Sequence, residues 1–310
     1  MEYTHLGKTG LEVSRLCLGS MTFGSWGIGA EDARLVIDRA VEAGINFIDT
    51  ADLYGTSEEV VGQALKGKRD RIVLATKFAI RTEEGPNGAG ASRHRIMRQV
   101  ENSLRNLQTD YIDLYQIHRP DAATPIEETM RALDDLVRQG KVRYIGCSNF
   151  ESWQIVESLW ASDRMNLERL ASNQPSYSLL DRHIEREILP VSHKYGLATL
   201  CYSPLHGGWL SGKYSGVDKA PAGSRGAEWD LQAEDNRLKA QAVGRLQAIA
   251  DRRGVSLAQL ALGWLLHQGP AVIPILGVKS LAQLEDNLGA INVALSKAEL
   301  AEIDTSCPLS

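Results

Sequence analysis

RIVLATKFAI (residues 71–80) packs eight apolar or β-branched residues into ten, the pattern of a strand buried on both faces, yet Lys77 sits near its end. An ammonium group is costly to bury. Either its aliphatic stem lets the charge reach water, or the chain needs a cation held in a dry place. Strands covered on both faces belong to parallel sheets clothed in helices, so the surrounding sequence should supply more of both.

It does. Comparable runs occur at RLCLGS (15–20), NFIDTA (46–51), YIDLYQIH (111–118), VRYIGCSN (142–149), RLASNQPSY (169–177), LATLCYSP (197–204) and AVIPIL (271–276), giving eight strands with RIVLATKF (71–78). Amphipathic stretches separate them, among them SRHRIMRQVENSLRNLQ with Ser92 as N-cap, and TPIEETMRALDDLVRQG, opened by Thr124 and Pro125 and closed by Gly140. Eight parallel strands alternating with helices close most naturally into a (β/α)8 TIM barrel of the α/β class. A doubly wound sheet is the alternative, but LGSMTFGSWGIG after the first strand lacks the G-x-G-x-x-G order. Residues 2–13, with Lys8-Thr9-Gly10 between alternating runs, predict an N-terminal β-hairpin closing the bottom of the barrel. The glycine-rich stretch 207–230 predicts a long loop over the active face. Extra C-terminal helices are expected at about 239–253 and 256–268, separated by Gly254. With no repeat or linker, residues 1–310 are expected to form one domain.

Composition narrows the function. The chain has 43% apolar and 24% charged residues and a net charge of -5, with pI near 5.9, which argues against a nucleic-acid partner. The first residues lack an apolar signal core, and nowhere do 18 uncharged apolar residues run together, so a cytoplasmic location without membrane insertion is expected. Cys17, Cys147, Cys201 and Cys307 lie far apart, predicting reduced thiols and no metal site.

Barrel chemistry collects at the C-terminal ends of the strands. Asp49, Tyr54, Lys77 and His118 fall there, on or just after three adjacent strands. Singly, each has a structural explanation; four together point to a site. An ammonium near a phenol favours the phenolate and makes Tyr54 a better proton donor, while Asp49 would keep Lys77 charged. His118 can orient a carbonyl oxygen. The set suits reduction of C=O, and because no side chain donates hydride, a nicotinamide cofactor is required.

FIDTADLYG (47–55), ATKF (75–78), LYQIHRPD (114–121), GKVRYIGCSNF (140–150), NQPSYS (173–178) and YSPL (202–205) resemble, in order and spacing, the aldo-keto reductases over nearly the whole chain. LGKTGLEVSRLCLGSMTFG is similar to the branch that includes bacterial general reductases and potassium-channel β subunits. The resemblance implies a barrel that binds NAD(P)H across its C-terminal face, with Tyr54 as acid-base residue and Asp49, Lys77 and His118 completing a tetrad. It further implies Ser148, Asn149 and Gln174 at the carboxamide, Tyr202 as the nicotinamide platform, and Ser203, Pro204, Leu205, Gly207 and Lys213 around the pyrophosphate. Gly277, Lys279, Ser280 and Gln283 resemble a 2′-phosphate site at a helix N-terminus, with Asn287 on the adenine. NADPH is favoured over NADH. Many relatives carry arginine where this chain has Lys279, a point charge that holds phosphate less tightly, so NADH use stays open.

The substrate is expected to be a small aldehyde or ketone in an apolar pocket of Met21, Phe23 and Trp26, with Trp209 and Trp229 as further candidates unless they pack loops. Arg119 either meets a substrate carboxylate or pairs with Asp121, the favoured partner. Two other readings differ in class. A Schiff-base aldolase would use Lys77 as a neutral nucleophile. A regulatory subunit would bind NADPH and report redox state to a partner. No motif fixes an oligomeric state.

Overall fold

The computed structural model describes residues 1–214, 220, 224 and 226–307. Strands β1 (Tyr3–His5) and β2 (Glu12–Ser14) form an antiparallel hairpin. Eight parallel strands then close a barrel: β3 (Cys17–Gly19), β4 (Phe47–Asp49), β5 (Val73–Phe78), β6 (Ile112–Ile117), β7 (Val142–Ser148), β8 (Leu170–Gln174), β9 (Ala198–Cys201) and β10 (Val272–Gly277). They lie in chain order, and β10 pairs back onto β3. Helices α1 (Ala30–Glu42), α2 (Ser57–Ala64), α3 (Arg93–Leu107), α4 (Ile126–Arg138), α5 (Ser152–Met165) and α6 (Ile188–Tyr195) occupy the connections up to β9. Between β9 and β10 come α7 (Glu234–Arg253) and α8 (Leu257–His267); α9 (Leu281–Leu288) and α10 (Lys297–Ser306) end the fold.

Each expected run contains a barrel strand, trimmed where local chemistry stops the ladder. Arg71 belongs to a 3-10 turn, Pro175 has no N–H to offer after β8, and Ser203 turns left-handed at φ 53° after β9. Ser92 caps α3 by accepting from the Arg95 N–H. Helix α7 begins five residues before the expected start, with Glu234 and Asp235 complementing its N-terminal dipole. It ends at Gly254, φ 65°. Residues 215–219, 221–223 and 225 of the expected long loop, and 308–310 at the end, lie outside the described residues.

The core has two layers. Inward residues such as Cys17, Phe47, Val73, Ala75, Leu114, Leu200 and Ile273 fill the barrel. Leu74, Phe78, Tyr115, Ile117 and Ile145 face outward and pack with the helices. The hairpin belongs to the inner layer, because Leu6 and Val13 join the interior cluster. Gly7 makes this approach feasible: at φ 60°, a Cβ there would stand 2.5 Å from the Gly196 carbonyl oxygen and 2.7 Å from that of Ala171. Lys8 then donates its N–H to Gly196 O at 2.8 Å.

Candidate active site

Strand alternation explains where Lys77 goes. Val73 and Ala75 point into the barrel, so the next residue of that parity, Lys77, points inward at the C-terminal mouth. The same step carries the inner face of β4 from Phe47 to Asp49, and β4 pairs with β5. Lys77 is fully buried. Its Nζ donates to Asp49 Oδ1 and to the Thr50 carbonyl at 2.9 Å. The second Asp49 oxygen accepts from Gln116 Nε2 and from Gln174 Nε2, each at 3.0 Å. Burial opposes the ammonium, but the Asp49 carboxylate and the Tyr54 phenol outweigh it, and Lys77 is held above its ordinary range. The charge does not escape to water; it is kept in a dry place with a partner.

Tyr54 arrives from the loop after β4. Lys77 Nζ stands 5.2 Å from its ring centroid. The His118 ring meets it edge-on at 5.8 Å, and Trp26 covers another side at 5.8 Å and 52°. Burial raises the Tyr54 pKa and Lys77 pulls against that rise, leaving the phenol above its usual value. The acidification expected from Lys77 is therefore real in direction but smaller than the opposing desolvation, and Tyr54 is a protonated acid at neutral pH. Burial, then Lys77 and Arg119, lower His118 to about 3. His118 is consequently a neutral imidazole, and its buried Nδ1 has no hydrogen-bond partner among the described residues.

A second tier fastens the rim. Ser148 Oγ donates to the Gln174 carbonyl at 2.8 Å. Asn149, at φ 59°, donates from Nδ2 to the His118 carbonyl and to Ser148 Oγ, both at 3.0 Å. Its Oδ1 accepts from the Tyr202 hydroxyl at 2.9 Å. Beyond Tyr202 the chain takes left-handed turns at Ser203, His206, Gly207 and Gly208, with Pro204 buried and Leu205 half-buried. Lys213 is exposed, its ammonium 5.2 Å from the Tyr214 ring. A cavity of about 590 Å³ borders this loop, lined in part by Ser203, His206 and Gly207. After β10, Gly277, Lys279 and Ser280 are exposed. Ser280 Oγ caps α9 by accepting from the Gln283 N–H at 3.3 Å, Gln283 Oε1 accepts from the Lys279 N–H at 2.8 Å, and Asn287 is buried.

Two expectations need correction, on Phe23 and on the partner of Arg119, while for Trp209 and Trp229 one of the two alternatives is met. Phe23 is fully buried in the outer core cluster, so it has no surface to offer a substrate; Met21 is half-buried and Trp26 is 49% exposed. Trp209 is also buried, stacked on Trp229 at 6.0 Å and set against Tyr214 at 5.3 Å. The two tryptophans pack the loop after β9, and the aromatic neighbour of Tyr54 is Trp26. The ion pair expected between Arg119 and Asp121 does not form. Asp121 instead accepts from Ala91 N–H, Ala123 N–H and Thr124 Oγ1.

Two groups escaped the sequence reading. Gln116, which clamps Asp49, shares the inward parity of His118, and that spacing was the available signal. The other is a buried polar cluster behind the tetrad. The Asp52 side chain is 1% exposed, 4.0 Å from the Arg95 guanidinium, and neither of its oxygens has a hydrogen-bond partner among the described residues. Burial and the Glu58 carboxylate push Asp52 up to about 8 against the pull of Arg95. An unfolded aspartate titrates near ~4, so between roughly pH 4 and 8 the folded state binds more protons and stability falls as pH rises. Asp52→Asn should flatten that slope, leaving the variant with the higher Tm at pH 8 and little advantage at pH 5. Thermal unfolding at both pH values tests this, and an unchanged slope contradicts it.

A buried carboxylate–ammonium pair, a phenol and a neutral imidazole thus meet at the mouth of a (β/α)8 barrel, a set of groups chemically able to hold and pass a proton. The aldo/keto reductase family matches residues 15–307, and the chain belongs to that family: it is one of its oxidoreductases. It is 38% identical to the aldo-keto reductase YhdN of Bacillus subtilis, over 98% of this chain and 93% of that protein. It is also 38% identical to the uncharacterized oxidoreductase YrpG of B. subtilis, over 99% and 96%. A probable voltage-gated potassium channel subunit beta of Arabidopsis thaliana is 37% identical, over 94% and 92%. No helix among the described residues is long and apolar enough to cross a membrane.

Proposed function

We propose that the chain, residues 1–310 acting as one unit, catalyses reversible NADPH-dependent reduction of aldehydes and ketones to alcohols, with Tyr54 as general acid. The observation that carries this is the union in one enclosed site of a protonated phenol, a charged Lys77 beside it and a neutral His118. The residues present suit an extended dinucleotide. Left-handed turns at residues 203–208 bring backbone close to the 590 Å³ cavity, Lys213 supplies a cation, and the capped N-terminus of α9 stands beside exposed Lys279. Ser148, Asn149 and Gln174 would hold the carboxamide, Tyr202 would carry the ring, Ser203, Pro204, Leu205, Gly207 and Lys213 the pyrophosphate, and Gly277, Lys279, Ser280, Gln283 and Asn287 the adenosine end. When bound, the nicotinamide supplies hydride.

The protein's own residues handle the proton. His118 holds the carbonyl oxygen, Tyr54 delivers its phenolic proton to that oxygen, and the ammonium of Lys77, fixed by Asp49, offsets the charge left on the phenolate. Met21 and Trp26 border the substrate. A Schiff-base role fits poorly, because it needs a neutral amine and Lys77 is held charged. Likeness to a channel β subunit supports a second reading, a slow NADPH-binding regulatory subunit. Steady-state NADPH oxidation with 4-nitrobenzaldehyde and methylglyoxal separates the two: turnover near background would favour the regulator.

Cofactor choice has its own test. Lys279→Ala should lower kcat/KM for NADPH about tenfold, the effect of losing one charge-assisted contact, and leave NADH nearly unchanged. Equal loss with both nucleotides would remove Lys279 from the 2′-phosphate site.

A further inference from the structure

Arg119 directly follows His118 at the mouth of the site and has no counter-charge in contact with it among the described residues. Among the described residues it makes no ion pair and no hydrogen bond, and it is exposed. Its backbone is nevertheless tightly placed. The preceding residue is tied on both sides: His118 N–H donates to the Phe78 carbonyl at 2.7 Å, and the His118 carbonyl accepts from Asn149 Nδ2 at 3.0 Å. The following residue is Pro120, whose ring disfavours helical backbone at Arg119.

The acids around it are spoken for. Asp121 spends Oδ2 on the Ala91 N–H and the Thr124 hydroxyl, both at 2.7 Å, and Oδ1 on the Ala123 N–H at 3.0 Å. Asp181, the acid whose charge reaches Tyr202, accepts from Ser176 Oγ at 2.5 Å and lies 2.6 Å from His183 Nδ1. Asp49 is neutralised by Lys77. The field of Arg119 extends into the site, since its charge bears on both His118 and Tyr202. An exposed cation on a held stretch of backbone, without an ion pair among the described residues, therefore stands directly after His118, beside the place where a carbonyl compound would dock.

Resting on the reading of the site as a carbonyl reductase, we propose that Arg119 determines specificity for carbonyl substrates that also carry a carboxylate, gripping the anionic end while the C=O meets His118 and Tyr54. A guanidinium matches a carboxylate as a planar two-pronged donor, and one cation balances one monoanion. A phosphate monoester brings nearly two charges to the same single partner, so carboxylate is the better fit.

The test compares 4-formylbenzoate with 4-nitrobenzaldehyde, two para-substituted aldehydes differing in charge, using the full chain with NADPH. Wild type should favour 4-formylbenzoate. Arg119→Met should raise KM for 4-formylbenzoate about tenfold and leave 4-nitrobenzaldehyde within about twofold, with Arg119→Lys between them. Added salt should erode the preference of the wild type. Parallel loss for both aldehydes, or none for either, overturns the proposal, as does a stronger preference for a phosphorylated aldehyde such as glyceraldehyde 3-phosphate over its neutral parent. Binding of benzoate to the NADPH complex, followed by nucleotide fluorescence, reads Arg119 without catalysis. If wild type reduces neither aldehyde, the reductase reading fails on its own, and Arg119 is judged by benzoate: tenfold weaker binding in Arg119→Met supports the carboxylate grip, and unchanged binding overturns it.

Discussion

Tyr54→Phe should bind NADPH within about twofold of wild type yet lose turnover by about 10²–10⁴-fold, the usual contribution of a positioned proton donor. The substitution keeps the ring that Trp26 and His118 contact, each at 5.8 Å, and removes only the hydroxyl. Little else changes, because the rim is held by bonds that do not involve Tyr54: Asn149 to His118, Tyr202 to Asn149, and Ser148 to Gln174. Single-turnover measurement of hydride transfer, beside a fluorescence titration of NADPH, separates chemistry from binding. A near-normal kcat would mean that the proton comes from another group.

Lys77→Met should damage stability and catalysis together. Methionine roughly preserves the stem, but Asp49 is left buried with two glutamine amides and no cation. Breaking a buried pair from one side costs about 3–5 kcal/mol. The wild-type contribution of Lys77 spans the neutral range, because its folded pKa lies above the unfolded one; it is present below pH ~10 and is lost as pH climbs through the folded value. Pairing the change with Asp49→Asn removes the stranded charge, so the double variant should regain most of the lost stability and none of the turnover. Urea unfolding of wild type, both single variants and the double variant closes the cycle. A loss below about 1 kcal/mol in Lys77→Met would show that the pair is not truly dry.

Alternation was the legible part of the sequence. Val73, Ala75 and Lys77 share one face of a strand, as do Phe47 and Asp49, and strand ends in this architecture meet at one rim, so the sequence alone groups four distant residues. Loops carry no such rule. Met21, Phe23 and Trp26 occupy one short segment after β3, yet Phe23 turns into the core while Trp26 stays half in solvent. Nearness along the chain misled at Arg119, because Asp121 is claimed by the Ala91 amide, 30 residues earlier, which no local pattern announces. The net pKa of Tyr54 was equally hidden: sequence names the charged neighbour, whereas desolvation depends on how Trp26 and His118 enclose the phenol.

The hairpin under the barrel has a kinetic corollary. With the barrel interior filled by side chains and Leu6 and Val13 packed at its foot, cofactor and substrate of the proposed reductase would both enter from the C-terminal face. Whichever compound settles deeper would then enter first and depart last. A compulsory order of addition and release would then be built into the architecture itself.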